Sequence, residues 1–206
     1  MTIVEVMETA PVIPVLVVDD VADAVPLALA LVAGGLPVIE VTLRTPAALD
    51  VIREMAKVEG ARVGAGTVTG PAELDAALDA GAEFVVSPGM SERLARAAQD
   101  REAPLLPGVA TGSDILRGLD LGYDRFKFFP AEAAGGLEML RALAAPFGHA
   151  HFCPTGGVTA ETALTWLREP PVSCVGGSWI APRGTRDWAK VGARARTAAA
   201  LRGQSL

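Results

Sequence analysis

Lys127 stands in the run Arg125-Phe126-Lys127-Phe128-Phe129, and of the three lysines it alone falls inside a strand-like segment; Lys57 and Lys190 fall in helical stretches. Successive side chains of a strand face opposite sides. Phe126 and Phe128 therefore share one face, and Lys127 takes the other. Aromatic neighbours disfavour the ammonium relative to the neutral amine, the form that attacks a carbonyl carbon. The inert reading of the same residue is a lysine paired with a carboxylate as an internal strut. A second run, Val38 to Arg44, divides in the same way. Ile39, Val41 and Leu43 lie on one parity, and Glu40, Thr42 and Arg44 on the other. Three polar side chains on one interior stripe are costly to bury without partners, so they predict a lined pocket. In it Glu40 is a candidate proton-transfer group. Arg44 and the hydroxyl of Thr67 suit a carboxylate.

Small residues mark where a ligand has room. Gly64-Ala65-Gly66-Thr67 ends one apolar run, and Thr155-Gly156-Gly157 and Gly176-Gly177-Ser178 follow two others. A single Gly-Gly is most often a tight turn. Two such corners after the last two strands fit a phosphate site built from backbone N–H groups. His149, His151 and Cys153 alternate along one segment and invite a metal reading. Three residues on one strand face do not readily close a tetrahedral site, and no H-E-x-x-H motif accompanies them. Trp166, Trp179 and Trp188 read as packing residues.

Positioning these groups requires a repeated framework, and the chain supplies one cadence eight times. Apolar runs lie near 12–18, 37–43, 62–67, 83–87, 104–107, 125–129, 150–154 and 172–177. Helical stretches follow at 21–33, 46–58, 71–80, 91–100, 113–121, 137–145, 160–167 and 186–201. Pro46 and Pro71 suit a first helical position, Ser91 and Ser113 an N-cap, and Gly81 and Gly122 a left-handed helix end. Eight β-then-α units predict parallel strands joined by right-handed crossovers. The expected fold is α/β: a single-domain (β/α)8 TIM barrel over 1–206, with a short N-terminal helix at 2–8 closing its bottom. In such a barrel, reactive groups stand at strand C-termini. A doubly wound open sheet is the alternative. Gly64, Gly66 and Gly70 do not give its G-x-G-x-x-G fingerprint, and no lysine follows a glycine as in a P-loop.

Composition limits the function further. Half of the 206 residues are hydrophobic and mean hydropathy is +0.36, which suits strands buried on both faces. No uninterrupted apolar run reaches about 18 residues, so no membrane span is expected. Glu5 and Glu8 precede any apolar stretch, against a signal peptide. Cytoplasm is the expected location, with Cys153 and Cys174 as reduced buried thiols and a disulfide as the alternative. A net charge of −6 and no broad basic stripe argue against nucleic acid as a partner. Lys190, Arg194, Arg196 and Arg202 read as a solvated helix face.

With these residues in view, the chain resembles the 2-keto-3-deoxy-6-phosphogluconate (KDPG) / 4-hydroxy-2-oxoglutarate (KHG) aldolase family over nearly its whole length. Seven ordered motifs carry the likeness: 11–15 PVIPV, 40–45 EVTLRT, 64–67 GAGT, 87–89 SPG, 126–132 FKFFPAE, 152–157 FCPTGG and 176–179 GGSW. The resemblance implies Lys127 as the Schiff-base lysine and Glu40 as the acid–base carboxylate. It implies that Arg44 and Thr67 hold the pyruvyl carboxylate. Gly156, Gly157, Gly177 and Ser178 would take the phosphate end, with Phe129 and Pro88 lining the pocket. Thr155 is similar to the gluconate-type enzymes, whose galactonate-type relatives tend to be apolar there. Strand one ends Leu16-Val17-Val18, without the arginine that some relatives carry. The implied enzyme is a cytoplasmic homotrimer needing no metal and no organic cofactor. It cleaves KDPG to pyruvate and glyceraldehyde 3-phosphate, with KHG as the other candidate substrate.

Two rivals remain from the residues alone. One is a phosphate-binding barrel isomerase, epimerase or synthase; the other is a non-catalytic phosphosugar-binding scaffold. Neither needs a strand-buried lysine beside a carboxylate.

Overall fold

Thr2 caps the first helix, α1 (Ile3–Thr9), by a reciprocal capping box with Glu5, which satisfies two otherwise orphaned N–H groups. The buried face of α1, Val6 and Met7, plugs one end of a ring of strands. The computed structural model describes residues 1–201; Arg202 of the basic cluster lies outside them.

The ring comprises β1 (Val12–Leu16), β2 (Val38–Thr42), β3 (Arg62–Gly66), β4 (Phe84–Val86), β5 (Leu105–Leu106), β6 (Gly108–Val109), β7 (Arg125–Phe128), β8 (His151–Pro154) and β9 (Val175–Gly177). All ladder pairs are parallel, with β1 flanked by both β2 and β9. Bridges Phe152↔Val172 and Thr155↔Gly176 join β8 to β9. The sheet therefore closes into a (β/α)8 barrel, and the open-sheet alternative is excluded.

The fifth stave differs from the expected run at 104–107. It is two short strands, β5 pairing with β4 and β6 with β7, on either side of Pro107. Proline has no N–H to give a ladder, but its carbonyl accepts from Lys127 N at 2.9 Å. The last stave begins at Val175, later than the apolar run suggested.

Helices α2 (Ala24–Ala33), α3 (Ala48–Met55), α4 (Pro71–Asp79), α5 (Glu92–Asp100), α6 (Gly112–Asp120), α7 (Gly136–Ala144), α8 (Ala163–Leu167) and α9 (Trp188–Ala199) follow the staves. Pro71 opens α4 and Ser91 caps α5 as expected. Thr111 caps α6 with a capping box to Asp114, so Ser113 lies inside the helix. Pro46 precedes α3, because the chain makes a turn before Ala48. Gly81 and Gly122 have φ of 98° and 83°, the left-handed conformation that glycine adopts without steric cost.

Two apolar layers hold this frame. Ile39, Val41, Phe126 and Phe128 face the helices. Inside the barrel, Ile13, Val38, Phe84, Val86, Leu106, Cys153 and Cys174 pack against α1 and fill its lower half. Both cysteines are buried thiols. No helix among the described residues is long and apolar enough to cross a membrane.

Candidate active site

Above that apolar floor, at the C-terminal ends of the strands, lies a cavity of about 160 Å³. Glu40, Arg44, Thr67, Pro88, Lys127, Phe129, Thr155, Gly156, Gly157 and Ser178 line it. Thus ten of the eleven residues named from the sequence converge on one space. Val15, Thr42, Val158 and Gly176 complete the wall. Gly177 does not line it. A side chain there would overlap the Trp179 ring, so this glycine makes room for packing. Its neighbour Gly176 is the one that borders the cavity, against Thr155.

Lys127 and Glu40 form the centre. Lys127 Nζ donates to Glu40 Oε1 at 3.1 Å, and the two residues are only 5% and 3% exposed. Desolvating two charges costs several kcal/mol per ion, and apolar replacements of such pairs are often as stable or more so. Stability alone is thus a weak reason for the pair, whereas reactivity is a strong one. A proton can pass directly between Nζ and Oε1 at this distance. Lys127 Nζ also lies 5.3 Å from the Phe129 ring centroid, within cation–π reach.

Glu40 reaches this position because Gly66, on the adjacent β3, carries no side chain. A Cβ at Gly66 would collide with the Glu40 carboxylate, 2.7 Å from its Cδ. Gly66→Ala should therefore displace Glu40 and lower turnover by about 10²-fold, the scale of a 1 Å misplacement. Gly64→Ala is the control. It would push on the fully buried Phe84 ring, so overpacking should cost about 1–3 kcal/mol of stability with a smaller effect on turnover. Steady-state rates and denaturant melts of both variants check this. Equal activity loss in the two would refute the positioning role of Gly66.

Around this pair the walls are polar. Thr42 donates to Leu16 O at 2.8 Å, and Thr45 to Val18 O at 2.7 Å, tying the ends of β1 and β2 together. Arg44 is exposed at the mouth and has no ion-pair partner among the described residues. A guanidinium so placed is available to an anionic ligand. Thr67 has φ of 63°. For a β-branched residue this costs about 1–3 kcal/mol, and such strain clusters at ligand-contact positions. At the far wall, Gly156 and Gly157 have φ of 98° and 84°, and Ser178 is exposed beside them.

The histidines lie elsewhere. His151 begins β8, at the end of the strand away from the cavity. Burial, and then the charge of Arg125, push its imidazole below the ordinary range. Among the described residues, no group of three or more His, Cys, Asp or Glu side chains could hold a metal ion.

This arrangement has close counterparts. Residues 3–194 match the family model of KDPG and KHG aldolases. The chain is 55% identical over 197 residues to a 2-dehydro-3-deoxy-phosphogluconate aldolase of Zymomonas mobilis, covering 96% of this chain and 95% of that one. It is 50% identical over 178 residues to the KHG/KDPG aldolase of Escherichia coli K12, covering 86% and 84%. A crystal structure of KDPG aldolase from Legionella pneumophila, with pyruvate captured as a covalent carbinolamine, superposes with a TM-score of 0.94 at 42% identity. It covers 97% of this chain and 98% of its own.

Proposed function

Because this chain belongs to the KDPG and KHG aldolase family, we propose that it is a class I aldolase in which Lys127 is the nucleophile and Glu40 moves the protons. The substrate is 2-dehydro-3-deoxy-6-phosphogluconate, cleaved to pyruvate and glyceraldehyde 3-phosphate. 4-Hydroxy-2-oxoglutarate, which would give pyruvate and glyoxylate, is the second substrate. The observation that carries the reading is the buried Lys127–Glu40 pair, 3.1 Å apart at the floor of the cavity.

The chemistry follows from that pair. Glu40 takes a proton from the Lys127 ammonium, and the free amine adds to the C2 ketone. Glu40 returns that proton to the carbinolamine hydroxyl, and loss of water leaves a protonated imine, an electron sink next to C3. Glu40, directly or through a water, then removes the C4 hydroxyl proton. The C3–C4 bond breaks, its electrons pass into the enamine, and the aldehyde leaves. Protonation of the enamine at C3 and hydrolysis of the imine release pyruvate and restore Lys127. Arg44 and Thr67 hold the pyruvyl carboxylate. Phe129 and Pro88 flank the reacting carbons, and Thr155, Gly156, Gly157 and Ser178 take the phosphate end. Gly177 serves that end only through its neighbours.

In this scheme the lysine supplies the electron sink that a metal or organic cofactor would otherwise provide. A coupled assay for pyruvate release from KDPG tests the reading. Cleavage should proceed at the same rate with and without EDTA; loss of activity in EDTA, restored by a divalent cation, would refute it. The reading extends to 1–206 as one catalytic domain acting in the cytoplasm on small molecules, not on nucleic acid. It also extends to a homotrimer. The outer face of α2 and its lead-in presents Ala22, Val25, Leu29 and Ala33, all exposed and all apolar, the kind of surface that an oligomer covers. Light scattering should give three times the chain mass; a monomer at micromolar concentration would contradict the trimer.

A further inference from the structure

We infer that Glu132 and Trp166, neither of which touches the cavity, form a clamp that positions the Gly156–Gly157 corner and thereby sets the preference for a phosphorylated substrate. This rests on the assignment of that corner to the phosphate end. The clamp begins at Trp166 in α8, which is 1% exposed and whose Nε1 donates to Glu132 Oε1 at 3.0 Å. Among the described residues the carboxylate is the one acceptor of that buried indole N–H, and a buried N–H left without an acceptor is costly. The hydrogen bond fixes the stem of Glu132 across Gly157. A Cβ on Gly157 would lie 2.6 Å from both Cβ and Cγ of Glu132. The stem and the glycine thus touch with no space between them.

The backbone closes the same unit. Glu132 N donates to Gly156 O at 3.0 Å, and Ala131 N to Thr155 O at 2.8 Å. The segment after β7 is therefore laced to the segment after β8. On its other side, Trp166 packs on Phe128, with ring centroids 6.3 Å apart, and Phe128 adjoins Lys127. One buried indole is thus keyed to the strand that carries the nucleophile and to the corner that ends the cavity. The distance between the reacting end and the phosphate end is set through it. Glu132 and Trp166 are positioning residues, since neither reaches the substrate.

The clamp acts on one end of the substrate, so its loss should split the kinetic constants. The test measures kcat and KM for KDPG and for 4-hydroxy-2-oxoglutarate, with the rate of pyruvate trapping on Lys127 by borohydride, in wild type, Glu132→Ala, Glu132→Gln and Trp166→Phe. Glu132 is exposed, so its variants test the clamp without loss of the core. Expected for Glu132→Ala is a KM for KDPG raised about tenfold or more, the scale of one lost charge-assisted hydrogen bond. The constants for the unphosphorylated substrate and the trapping rate should stay within about twofold. Glu132→Gln keeps an acceptor for the indole and should recover most of the KDPG affinity, whereas Trp166→Phe should resemble Glu132→Ala. Equal losses with both substrates, or no change in KM for KDPG, would overturn the clamp. Failure of the aldolase reading would look different: wild type itself would neither trap pyruvate nor cleave KDPG.

Discussion

Lys127→Met should bring KDPG cleavage down by about 10⁵–10⁶-fold, the scale of nucleophile deletions in other covalent enzymes. Exchange of the pyruvate methyl hydrogens with deuterated water should vanish with it, because exchange requires the enamine. The same substitution should be felt in stability. Glu40 is 3% exposed and Lys127 is its hydrogen-bonded ion partner. Breaking a buried pair from one side costs about 3–5 kcal/mol. The double variant Lys127→Met/Glu40→Gln leaves no unpaired charge and should regain part of that loss in denaturant melts. A double variant no more stable than the single would mean that the pair is not the origin of the cost.

Glu40→Gln separates the two roles in the site. The amide keeps the shape of the side chain beside Gly66 but cannot act as a base. Turnover should fall by about 10²–10⁴, the usual contribution of a positioned acid–base group. Pyruvate should still be captured on Lys127 by borohydride, more slowly, because dehydration of the carbinolamine also needs a proton transfer. Hydrogen exchange into pyruvate should fall in parallel with turnover. Exchange at the wild-type rate in Glu40→Gln would assign the base to another group and reduce Glu40 to the partner of Lys127.

Much of the barrel can be read from strand parity. Ile39 and Val41 alternate with Glu40 and Thr42, and Phe126 and Phe128 with Lys127. In the structure the first set packs on helices while the second faces the interior. That alternation is a local property, so the residues themselves reveal it. What parity does not reveal depends on neighbours distant in sequence. Pro107 divides the fifth stave because its two sides pair with different strands, a consequence of closure. Ser113 and Thr111 both suit a cap, and the reciprocal bonds of Asp114 decide for Thr111.

The same limit applies within the site. Gly176 and Gly177 are indistinguishable as types; Thr155 stands over one and Trp179 over the other. The side chains of Glu40 and Thr42 share a stripe, yet only the contact with Gly66 explains why the carboxylate can lie where it does. Glu132 and Trp166 are 34 residues apart, and nothing in either segment shows that the two meet. The left-handed backbone of Thr67 is likewise invisible in advance, since threonine disfavours it.

The central claim is that Lys127 forms a covalent imine with the keto acid, and reduction of that imine tests it most directly. The wild-type protein is incubated with pyruvate and sodium borohydride, then analysed by intact mass and peptide mapping. One reduced pyruvyl adduct per chain, on Lys127 and absent from Lys57, Lys190 and the N-terminus, is the predicted result. An active enzyme with Lys127 unmodified under the same conditions would contradict it.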